Sequence, residues 1–589
     1  MTNGSSQGLF VVVAVIIFGI FVFISYLLFR DTMKPSLAKI YCDAFTITSK
    51  NTGFGKLGNC GVDSENGENG ENGSGGGSED NVSMTYYKIR DADTEKGWSE
   101  VWVLVEKLDN GHVEIIDSGN KDKFAEGDLG ATLNGDISFP DTVGDGLIIE
   151  NIGVGSFRNA NFANVMKLPS ELIILDDYSL MNSNFSGEAT FPENLEKIGI
   201  EALKNSRFTG KMNFPDSLKE IGEGAFDNSE FEGELNLPTD LEEVGTGAFE
   251  NSHFTGTPTI PSSVTSIGDN AFANSKFTGS IEIPKSVTTI GENAFANSEF
   301  TGSLTLQDGL ESIGNNAFGN SQFTGKVSTP STLTSIGNNA FSNSKFTEID
   351  LSKSTELDKI GDNAFENSEF TGSLFLPNSI KTVGARAFYS SKFSNNNWIM
   401  PTKLETIGDE AFYNSLMQGT LTLNDNLRTI GSSAFYNSYK GNTVAIGRTQ
   451  KIEATRTVYY YEYTMYKNQL ILGKSLEYIG DRAFYQAEFG GNAEKNGGSF
   501  DMTQSPNLKY IGAYAFSNSF KQQQLYKVDY ISTSIPDVSL YIYRATLSYN
   551  SNIEFIGMGA FINARFTSPT NSLPSGAVVE SNAFANSFK

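Results

Sequence analysis

The chain has 589 residues, and its 43 Lys and Arg stand against 69 Asp and Glu, which gives a formal net charge of −26. We expect no nucleic-acid partner, because contacts to phosphate require a basic surface. With 2 His and 2 Cys, the sequence also excludes a disulfide-dense scaffold and leaves few side chains for metal or nucleophile chemistry.

An uncharged apolar segment follows a polar N-terminal tail. Residues 9–29 read LFVVVAVIIFGIFVFISYLLF, and a helix of this length spans the ~30 Å hydrocarbon core of a bilayer at ~1.5 Å per residue. The segment is too long for the apolar part of a secretory signal peptide, and no small-residue cleavage site follows it. It therefore predicts a single transmembrane helix that anchors the chain.

The sequence gives opposing indications about which side of the membrane holds the rest of the chain. Three basic residues, Arg30, Lys34 and Lys39, follow the apolar segment, and the positive-inside rule then favours a cytoplasmic body. Cys42 and Cys60 favour the opposite, because two lone Cys beyond a membrane span can form one disulfide in an oxidising compartment. Two free thiols are the alternative to that bridge. We expect a single-pass protein whose repeats are extracellular.

The N-terminus also resembles, weakly, the start of a type IV pilin-like precursor. The resemblance rests on the short polar leader, which ends in Gly8, and on the long apolar helix after it. The sequence lacks the basic leader residue and the Glu near the mature start that such precursors usually have. The resemblance implies a pilus-like component.

A low-complexity run separates the juxtamembrane segment from the body. Residues 64–80 read SENGENGENGSGGGSED, a composition that cannot bury apolar surface and predicts a flexible linker. Residues 81–146 then show strand-like alternation in MTYYKI and VWVLVEKL, with a hairpin turn signal at Asp109-Asn110-Gly111. A repeat array needs a cap over its first open face, so we predict a small β cap here.

Most of the remaining chain is one repeated unit with the core string I-G-x-x-A-F, spaced mostly 23 residues apart. The sequence contains 17 copies, whose Gly position is held by Gly153, Asp176, Gly199, Gly222, Gly245, Gly268, Gly291, Gly314, Gly337, Gly361, Gly384, Gly408, Gly431, Gly480, Gly512 and Gly557, with a last copy ending around Phe584. A unit this short cannot fold alone. We predict stacked coils that share one core and a parallel ladder with strands ~4.8 Å apart.

Each position of the unit has a physical interpretation. From Ile281 one copy reads IEIPKSVTTIGENAFANSEFTGS, in which Ile281 and Ile283 predict a short strand with one face inward. Gly291 predicts a tight turn, and the A-F pair after it predicts inward packing. Asn297 and Ser298 are short polar residues that can bond the backbone of a turn.

This pattern resembles the BspA-like leucine-rich repeat family, whose signature is L-P-x-S-L-x-x-I-G-x-x-A-F-x-x-S/C. The resemblance covers about residues 147–589 and departs from the signature in the Asn-Ser after A-F-x and the Phe-Thr-Gly before the strand. It implies a solenoid with short parallel strands and short helical turns, found on microbial and protist surfaces and used in adhesion. The family has no shared catalytic residues, so we expect no enzyme activity, cofactor or metal.

The regular pattern breaks after residue 440. Residues 441–589 carry 13 Lys and Arg against 11 Asp and Glu, so the acidic charge lies in the earlier part of the chain. Insertions rich in Tyr and Arg separate the copies here, and these residue types often anchor protein interfaces. The alternative is that the Tyr residues only pack on the solenoid. We predict a partner-binding patch formed by Arg456, Tyr459, Tyr460, Tyr461, Tyr463, Tyr526, Tyr530, Tyr541, Tyr543 and Arg544.

These features predict a membrane-anchored, non-catalytic surface protein that acts as an adhesin or a protein-binding scaffold. Its expected partners are proteins or glycans on host or neighbouring cells. The alternatives are a structural surface or pilus-like component, which self-associates end to end through an uncapped last copy, and a membrane scaffold with intracellular repeats. The expected organisation is a polar tail (1–8), a transmembrane helix (9–29), a juxtamembrane segment (30–63), a flexible linker (64–80), a β cap (81–146), regular repeats (147–440) and irregular repeats with insertions (441–589).

Overall fold

The structure is a computed structural model that describes the chain from residue 84 onward. The described residues are 84–119, 133–163, 165–185, 188–208, 212–231, 234–393, 398–439, 443–453, 456–466, 469–489, 499–520, 523–530, 537–543, 546–566 and 569–588. The predicted transmembrane segment and linker, together with Cys42 and Cys60, lie outside this range. Within it, no helix combines the length and the apolar character needed to cross a bilayer.

Each copy of the repeat adds one short strand to a continuous parallel ladder, which we call the sheet row. In the described residues its seventeen strands are Leu147–Ile152, Ile174–Leu175, Lys197–Ile198, Glu220–Ile221, Glu243–Val244, Ser266–Ile267, Thr289–Ile290, Ser312–Ile313, Ser335–Ile336, Lys359–Ile360, Thr382–Val383, Thr406–Ile407, Thr429–Ile430, Tyr478–Ile479, Tyr510–Ile511, Phe555–Ile556 and Val578–Val579. Equivalent residues of neighbouring copies pair with each other: Ile267 lies opposite Ile290, and Ile290 opposite Ile313. The predicted parallel solenoid is confirmed.

A second set of short strands, the return row, lies on another side of the coil. Its members are Asn134–Gly135, Asn161–Phe162, Ala189–Thr190, Met212–Asn213, Leu235–Asn236, Ile281–Ile283, Leu304–Leu306, Lys326–Ser328, Glu348–Asp350, Thr420–Thr422, Gln469–Ile471, Ser499–Asp501 and Thr546–Ser548. They also pair in parallel between adjacent copies. Thr420–Thr422 pairs with Gln469–Ile471 across the first insertion, so the coil continues past that insertion without a break.

An antiparallel meander precedes the coils. Thr85–Arg90 pairs with Val101–Lys107, which in turn pairs with Val113–Gly119. Val113–Gly119 then pairs in parallel with Leu147–Ile152, the first strand of the sheet row, and the two-residue strand Thr142–Val143 pairs with Leu147–Ile152 as well. The meander therefore extends the sheet row beyond its first repeat strand.

Two columns of stacked phenylalanine rings fill the interior of the coils. The first column comes from the A-F pair and runs from Phe226 to Phe584, with 5.1–5.5 Å between successive ring centroids. The second column comes from the N-S-x-F position, and its rings meet the first edge to face, as Phe295 and Phe300 do at 6.0 Å and 70°. Each fully buried ring contributes roughly 1.5–3 kcal/mol to stability.

The arc that follows the sheet row consists of turns. It contains two residues in the left-handed conformation four positions apart, such as Asn293 and Asn297, each with φ 55°. A left-handed residue every fourth position prevents a right-handed helix from forming. The helical turns implied by the family resemblance are therefore missing from the described residues, apart from the single 3-10 turn Met502–Gln504.

Gly291 has a different role from the tight turn that the sequence predicts. Its φ does not lie in the left-handed region, where Asn293 and Asn297 supply the turn instead. A Cβ at Gly291 would lie 2.5 Å from the backbone N of Asp269 and 2.6 Å from the carbonyl carbon of Gly268 in the preceding coil. Glycine is needed here because the backbones of adjacent coils approach closely.

Candidate functional site

The two C-terminal insertions combine into one four-stranded antiparallel sheet, which we call the insertion sheet. Its strands are Thr443–Glu453 and Arg456–Tyr466 from the first insertion, and Gln523–Tyr530 and Asp537–Tyr543 from the second. The central pairing, between Arg456–Tyr466 and Gln523–Tyr530, joins the two insertions. Segments that are far apart in sequence thus form a single element beside the irregular repeats.

Nine of the ten residues predicted to bind a partner lie in the backbone of the insertion sheet. Arg456, Tyr459, Tyr460, Tyr461 and Tyr463 belong to the second strand, Tyr526 and Tyr530 to the third, and Tyr541 and Tyr543 to the fourth. Tyr461 is the register partner of Tyr526 across the junction of the two insertions. Arg544 lies outside the described residues. The patch is one element of the backbone, and its role in binding stays a prediction.

A second aromatic feature lies on the coil itself, and the sequence analysis missed it. Tyr389, Tyr413, Tyr436 and Tyr485 occupy the position directly after A-F in four successive copies, and we call them the tyrosine row. Their ring centroids are 4.8, 4.5 and 4.9 Å apart, with interplanar angles of 11–16°. All four are half-buried, their faces stack on each other, and the side chains of Tyr413 and Tyr436 also share a hydrogen bond. The recurring string A-F-Y was the sequence signal.

The sheet row also becomes aromatic in the C-terminal copies. Tyr478, Tyr510 and Phe555 precede the inward-pointing Ile of their strands, and their rings stack at 4.6 and 4.8 Å. In most earlier copies this position is Ser or Thr, as in Ser312 and Thr406. Burial raises the pKa values of Tyr478 and Tyr510, so both phenols are protonated at neutral pH.

Large apolar side chains are exposed on the return row and at two residues that continue it through single parallel bridges, Phe375 to Asp350 and Ile399 to Thr422. Ile399 is 86% exposed, Phe375 54% and Ile471 47%. In the equivalent strand of an earlier copy, Ile281–Ile283, the outward-facing position is held by the charged residue Glu282. Exposed apolar side chains on three nearby copies are typical of a surface that contacts another molecule.

An open groove runs along the tyrosine row and has a volume of about 410 Å³. This volume falls within the ~300–1,000 Å³ usual for ligand sites. The residues that line the groove are Glu410, Tyr413, Ser433, Tyr436, Arg482, Tyr485 and Tyr514. Burial raises the pKa of Tyr413, with a smaller contribution from the neighbouring Tyr436. The phenol of Tyr413 is therefore a neutral hydrogen-bonding group at physiological pH.

Charged groups occupy the first left-handed position in three of the copies near the groove, as Arg386, Glu410 and Arg482. Arg386 bonds the carboxylates of Glu366 and Glu410, the latter at 2.5 Å, and its guanidinium lies 3.9 Å from the centroid of Tyr389. Arg482, three copies further along, is exposed, and its guanidinium lies 5.9 Å from the ring centroid of Tyr514. Aromatic rings, hydroxyls and charges thus meet in one groove.

The residues described by the structure include no group of three or more His, Cys, Asp and Glu side chains that could hold a metal ion. The groove chemistry consists of hydrogen bonding, aromatic contact and charge. An arrangement of this kind can bind a ligand.

Comparison with known proteins gives a consistent pattern. The profile of the BspA type leucine rich repeat region matches residues 150–278, 289–415, 381–490 and 495–589. No curated protein is significantly similar to the chain. A leucine-rich repeat protein from Bacteroides ovatus is 18% identical, and the match covers 56% of this chain and 89% of that one, with a TM-score of 0.33.

Two further solved structures are similar at the same level. A leucine rich cell surface protein from Faecalibacterium prausnitzii is 19% identical over 58% of this chain and 93% of that one, with a TM-score of 0.30. The pneumococcal vaccine antigen PcpA is 20% identical over 72% of this chain and 93% of that one, with a TM-score of 0.32.

Proposed function

We propose that this chain, which belongs to the BspA-type leucine-rich repeat family, is a non-catalytic cell-surface protein that binds other cells or extracellular proteins through its C-terminal copies. The observation that carries the proposal is the tyrosine row with its open groove. Stacked tyrosine rings, an exposed arginine and hydroxyl groups occur together here, and the described residues of the N-terminal copies show no such stack of tyrosines.

Display on the outer surface of a membrane completes the proposal. The apolar segment 9–29 is long enough to anchor the chain, and the linker 64–80 would hold the repeats away from the lipid. Dense display on one membrane would add avidity to contacts that are individually modest. Surface location is also what the family resemblance implies.

Membrane orientation is the first experimental test. An epitope tag placed after Lys589 should be accessible to antibody and protease on intact cells that express the full chain. Protection of the tag until the cells are lysed would place the repeats inside, contradict the adhesin proposal and favour an intracellular scaffold.

The role of the tyrosine row is tested by adhesion. Cells that display the triple variant Tyr413→Ser, Tyr436→Ser and Tyr485→Ser should adhere several-fold less to host or neighbouring cells than cells that display the wild type. Serine is tolerated at this position, because Ser342 and Ser517 occupy it in other copies. Ala273→Ser with Ala296→Ser changes the same position far from the groove and is the control. Unchanged adhesion of the triple variant, with equal display, would contradict the proposal.

A further inference from the structure

The groove contains an arginine, Arg482, that lacks the two carboxylate partners of the equivalent Arg386. Arg386 and Arg482 occupy the same position of two copies, directly before A-F, and both adopt the left-handed conformation with φ 54° and 55°. Arg386 bonds a carboxylate from the preceding copy, Glu366, and one from the following copy, Glu410. Its charge is therefore neutralised within the coil.

Around Arg482 the two equivalent positions hold phenols. Tyr436 takes the place of Glu366 in the preceding copy, and Tyr514 takes the place of Glu410 in the following one. In the described part of the chain, Arg482 has no carboxylate within ion-pair distance, and its guanidinium lies 5.9 Å from the Tyr514 ring centroid. Asp481, the adjacent residue, uses its Oδ1 to accept the backbone N–H of Ala513 at 2.8 Å. The site keeps the cation and replaces both anions with neutral hydrogen-bonding groups.

Such a site has the chemistry to bind an external anion. A guanidinium is planar and presents several N–H donors, which suit a carboxylate, and phenol O–H groups on either side add further donors. Tyr485 and Ser433 complete the lining. The other carboxylate at the groove, Glu410, is already paired with Arg386 at 2.5 Å, which weakens its repulsion of a bound anion.

The groove favours a glycan over an acidic peptide. Peptides are bound through a free sheet edge, through apolar side-chain pockets or, when they are acidic, through clusters of arginines, whereas the described lining of the groove holds one arginine. Here the backbone N–H groups of the groove floor are bonded to the next coil: Ser433 to Asp481 at 2.7 Å, and Arg482 to Ala513 at 2.8 Å. Apart from Arg482 and Glu410, the lining side chains are phenols and the hydroxyl of Ser433, which can bond the many hydroxyl groups of a sugar. The groove is also open, so a long chain can pass through it.

We propose that Arg482, together with Tyr436, Tyr485 and Tyr514, binds the carboxylate of an acidic polysaccharide. This inference rests on the proposed surface-binding function and specifies its ligand class. It is independent of membrane orientation and of adhesion, because the site can be tested on the purified chain.

The test is equilibrium binding of the purified, detergent-solubilised full chain to polygalacturonate, with fully methyl-esterified polygalacturonate and poly-glutamate as the comparison polymers. We expect saturable binding to polygalacturonate that is at least tenfold tighter than binding to the esterified polymer. Arg482→Gln should weaken it by about 10-fold or more, because a charge-assisted hydrogen bond is lost. The matched control Arg428→Gln removes an arginine that is already paired, with Glu477 at 2.8 Å, and that is not among the lining residues of the groove, so it should leave the affinity within about twofold.

A second variant separates binding from folding. Tyr514→Glu restores the acidic partner that Arg386 has in Glu410, a residue that adopts the same left-handed conformation at this position with φ 56°. The variant should fold with an unchanged unfolding midpoint and lose binding to polygalacturonate. Equal binding to the esterified polymer, or affinity unaffected by Arg482→Gln and Tyr514→Glu, would overturn the proposal. Equal, Arg482-dependent binding to poly-glutamate would also overturn it and assign the groove to acidic peptides.

Discussion

Asparagine at the left-handed position after A-F-x acts on both the backbone and the neighbouring coils. Asn297 has φ 55°, a conformation that Asn adopts more readily than most residues. Its Nδ2 donates to Oδ1 of Asn274 at 3.0 Å, and its Oδ1 accepts from Nδ2 of Asn320 at 2.9 Å. Repetition of this contact forms an amide ladder along the coil, whereas Ser298 bonds the carbonyl of Phe295 within its own copy at 2.7 Å.

Two substitutions separate these roles of Asn297. Asn297→Ala loses both ladder bonds and places a β-carbon in the left-handed region, so we expect a loss of about 2–4 kcal/mol in the free energy of unfolding. Asn297→Gly keeps the conformation accessible and loses the ladder bonds alone, which should cost about 1–2 kcal/mol. Urea unfolding measures both values. Equal losses for the two variants would show that the left-handed conformation carries no penalty for alanine.

The backbone of Gly291 lies close to the backbone of the preceding coil, so a side chain at this position should be destabilising. Gly291→Ala places a methyl group 2.5 Å from the backbone N of Asp269. Because backbone cannot move aside cheaply, the coils must separate, and we expect a loss of roughly 2–3 kcal/mol. The control is Gly576→Ala, where a Cβ meets nothing within 4 Å and φ is not left-handed. That variant should change the unfolding midpoint little, and equal effects of the two variants would refute the close-packing explanation.

Glu114 in the cap links stability to pH. Burial raises the pKa of its carboxyl, and the nearby carboxylates of Asp176 and Glu106 add to this, while a hydrogen bond from Asn151 opposes it. An acid whose pKa is raised by folding binds its proton more tightly in the native state. Its contribution to stability is therefore fully present below the ordinary value of 4.5 and is lost as pH rises through the raised pKa.

Glu114→Gln removes this penalty and can still accept the bond from Asn151. We expect the variant to be more stable than the wild type at pH 7 and equal to it well below pH 4.5. Thermal unfolding of both proteins across this range measures the difference. A stability difference that does not change with pH would show that the carboxyl is not the titrating cause.

The sequence predicts which positions of the repeat face the core better than it predicts the structural role of each residue. The sequence identified the inward Phe and Ile positions correctly, because periodicity alone determines which side chains face the core. It assigned the turn to Gly291, since glycine is the usual left-handed residue. Which backbone lies against a glycine depends on how one coil stacks on the next, and a single copy does not contain that information.

The insertion sheet is an element whose strands are visible in sequence but whose pairing is not. The Tyr-rich string in the first insertion indicates β structure. Thr457 pairs with Tyr530, although two complete copies of the repeat lie between them in the sequence. Local sequence signals cannot encode a pairing over this separation. The tyrosine row was missed for a related reason: A-F-Y in one copy is unremarkable, and only stacking makes it a surface.

The shared sheet predicts how the insertions depend on each other. Replacing residues 441–467 by a short Gly-Ser loop leaves the coil closed, because Thr420–Thr422 still pairs with Gln469–Ile471. It also exposes the edge of Gln523–Tyr530, which normally pairs with the removed strand. The wild-type sheet ends in its outer strands, Thr443–Glu453 and Asp537–Tyr543, whereas the replacement turns a central strand into an edge. A newly uncovered edge strand can pair with another copy, so we expect oligomers in light scattering.

The matched control removes both insertions, by also replacing residues 521–545 with a Gly-Ser loop. No open strand edge of the insertion sheet then remains, and we expect the double-replacement protein to return to the oligomeric state of the wild type. Wild-type behaviour of the single replacement, or oligomers formed by both proteins, would contradict the edge-pairing argument.

Over the whole molecule, stability comes from contacts between each coil and the coils next to it. The number of copies and their parallel stacking followed from the sequence, because each copy repeats the same apolar positions. Phe318 stacks on Phe295 at 5.3 Å and on Phe341 at 5.2 Å. A coil in such an array makes its contacts with its immediate neighbours. A defect in one coil should therefore weaken its neighbours first.

Phe318→Ala tests this view, since loss of a buried ring costs about 3–5 kcal/mol. In native-state hydrogen exchange, protection should fall for amides in the adjoining coils, such as the amide of Phe295, which donates to the carbonyl of Ala317 at 2.7 Å. Amides near Phe484 should be unaffected. The reciprocal variant Phe484→Ala should reverse the pattern and destabilise the coils that carry the groove. A uniform loss of protection along the chain in either variant would mean that the coils unfold as a single cooperative unit.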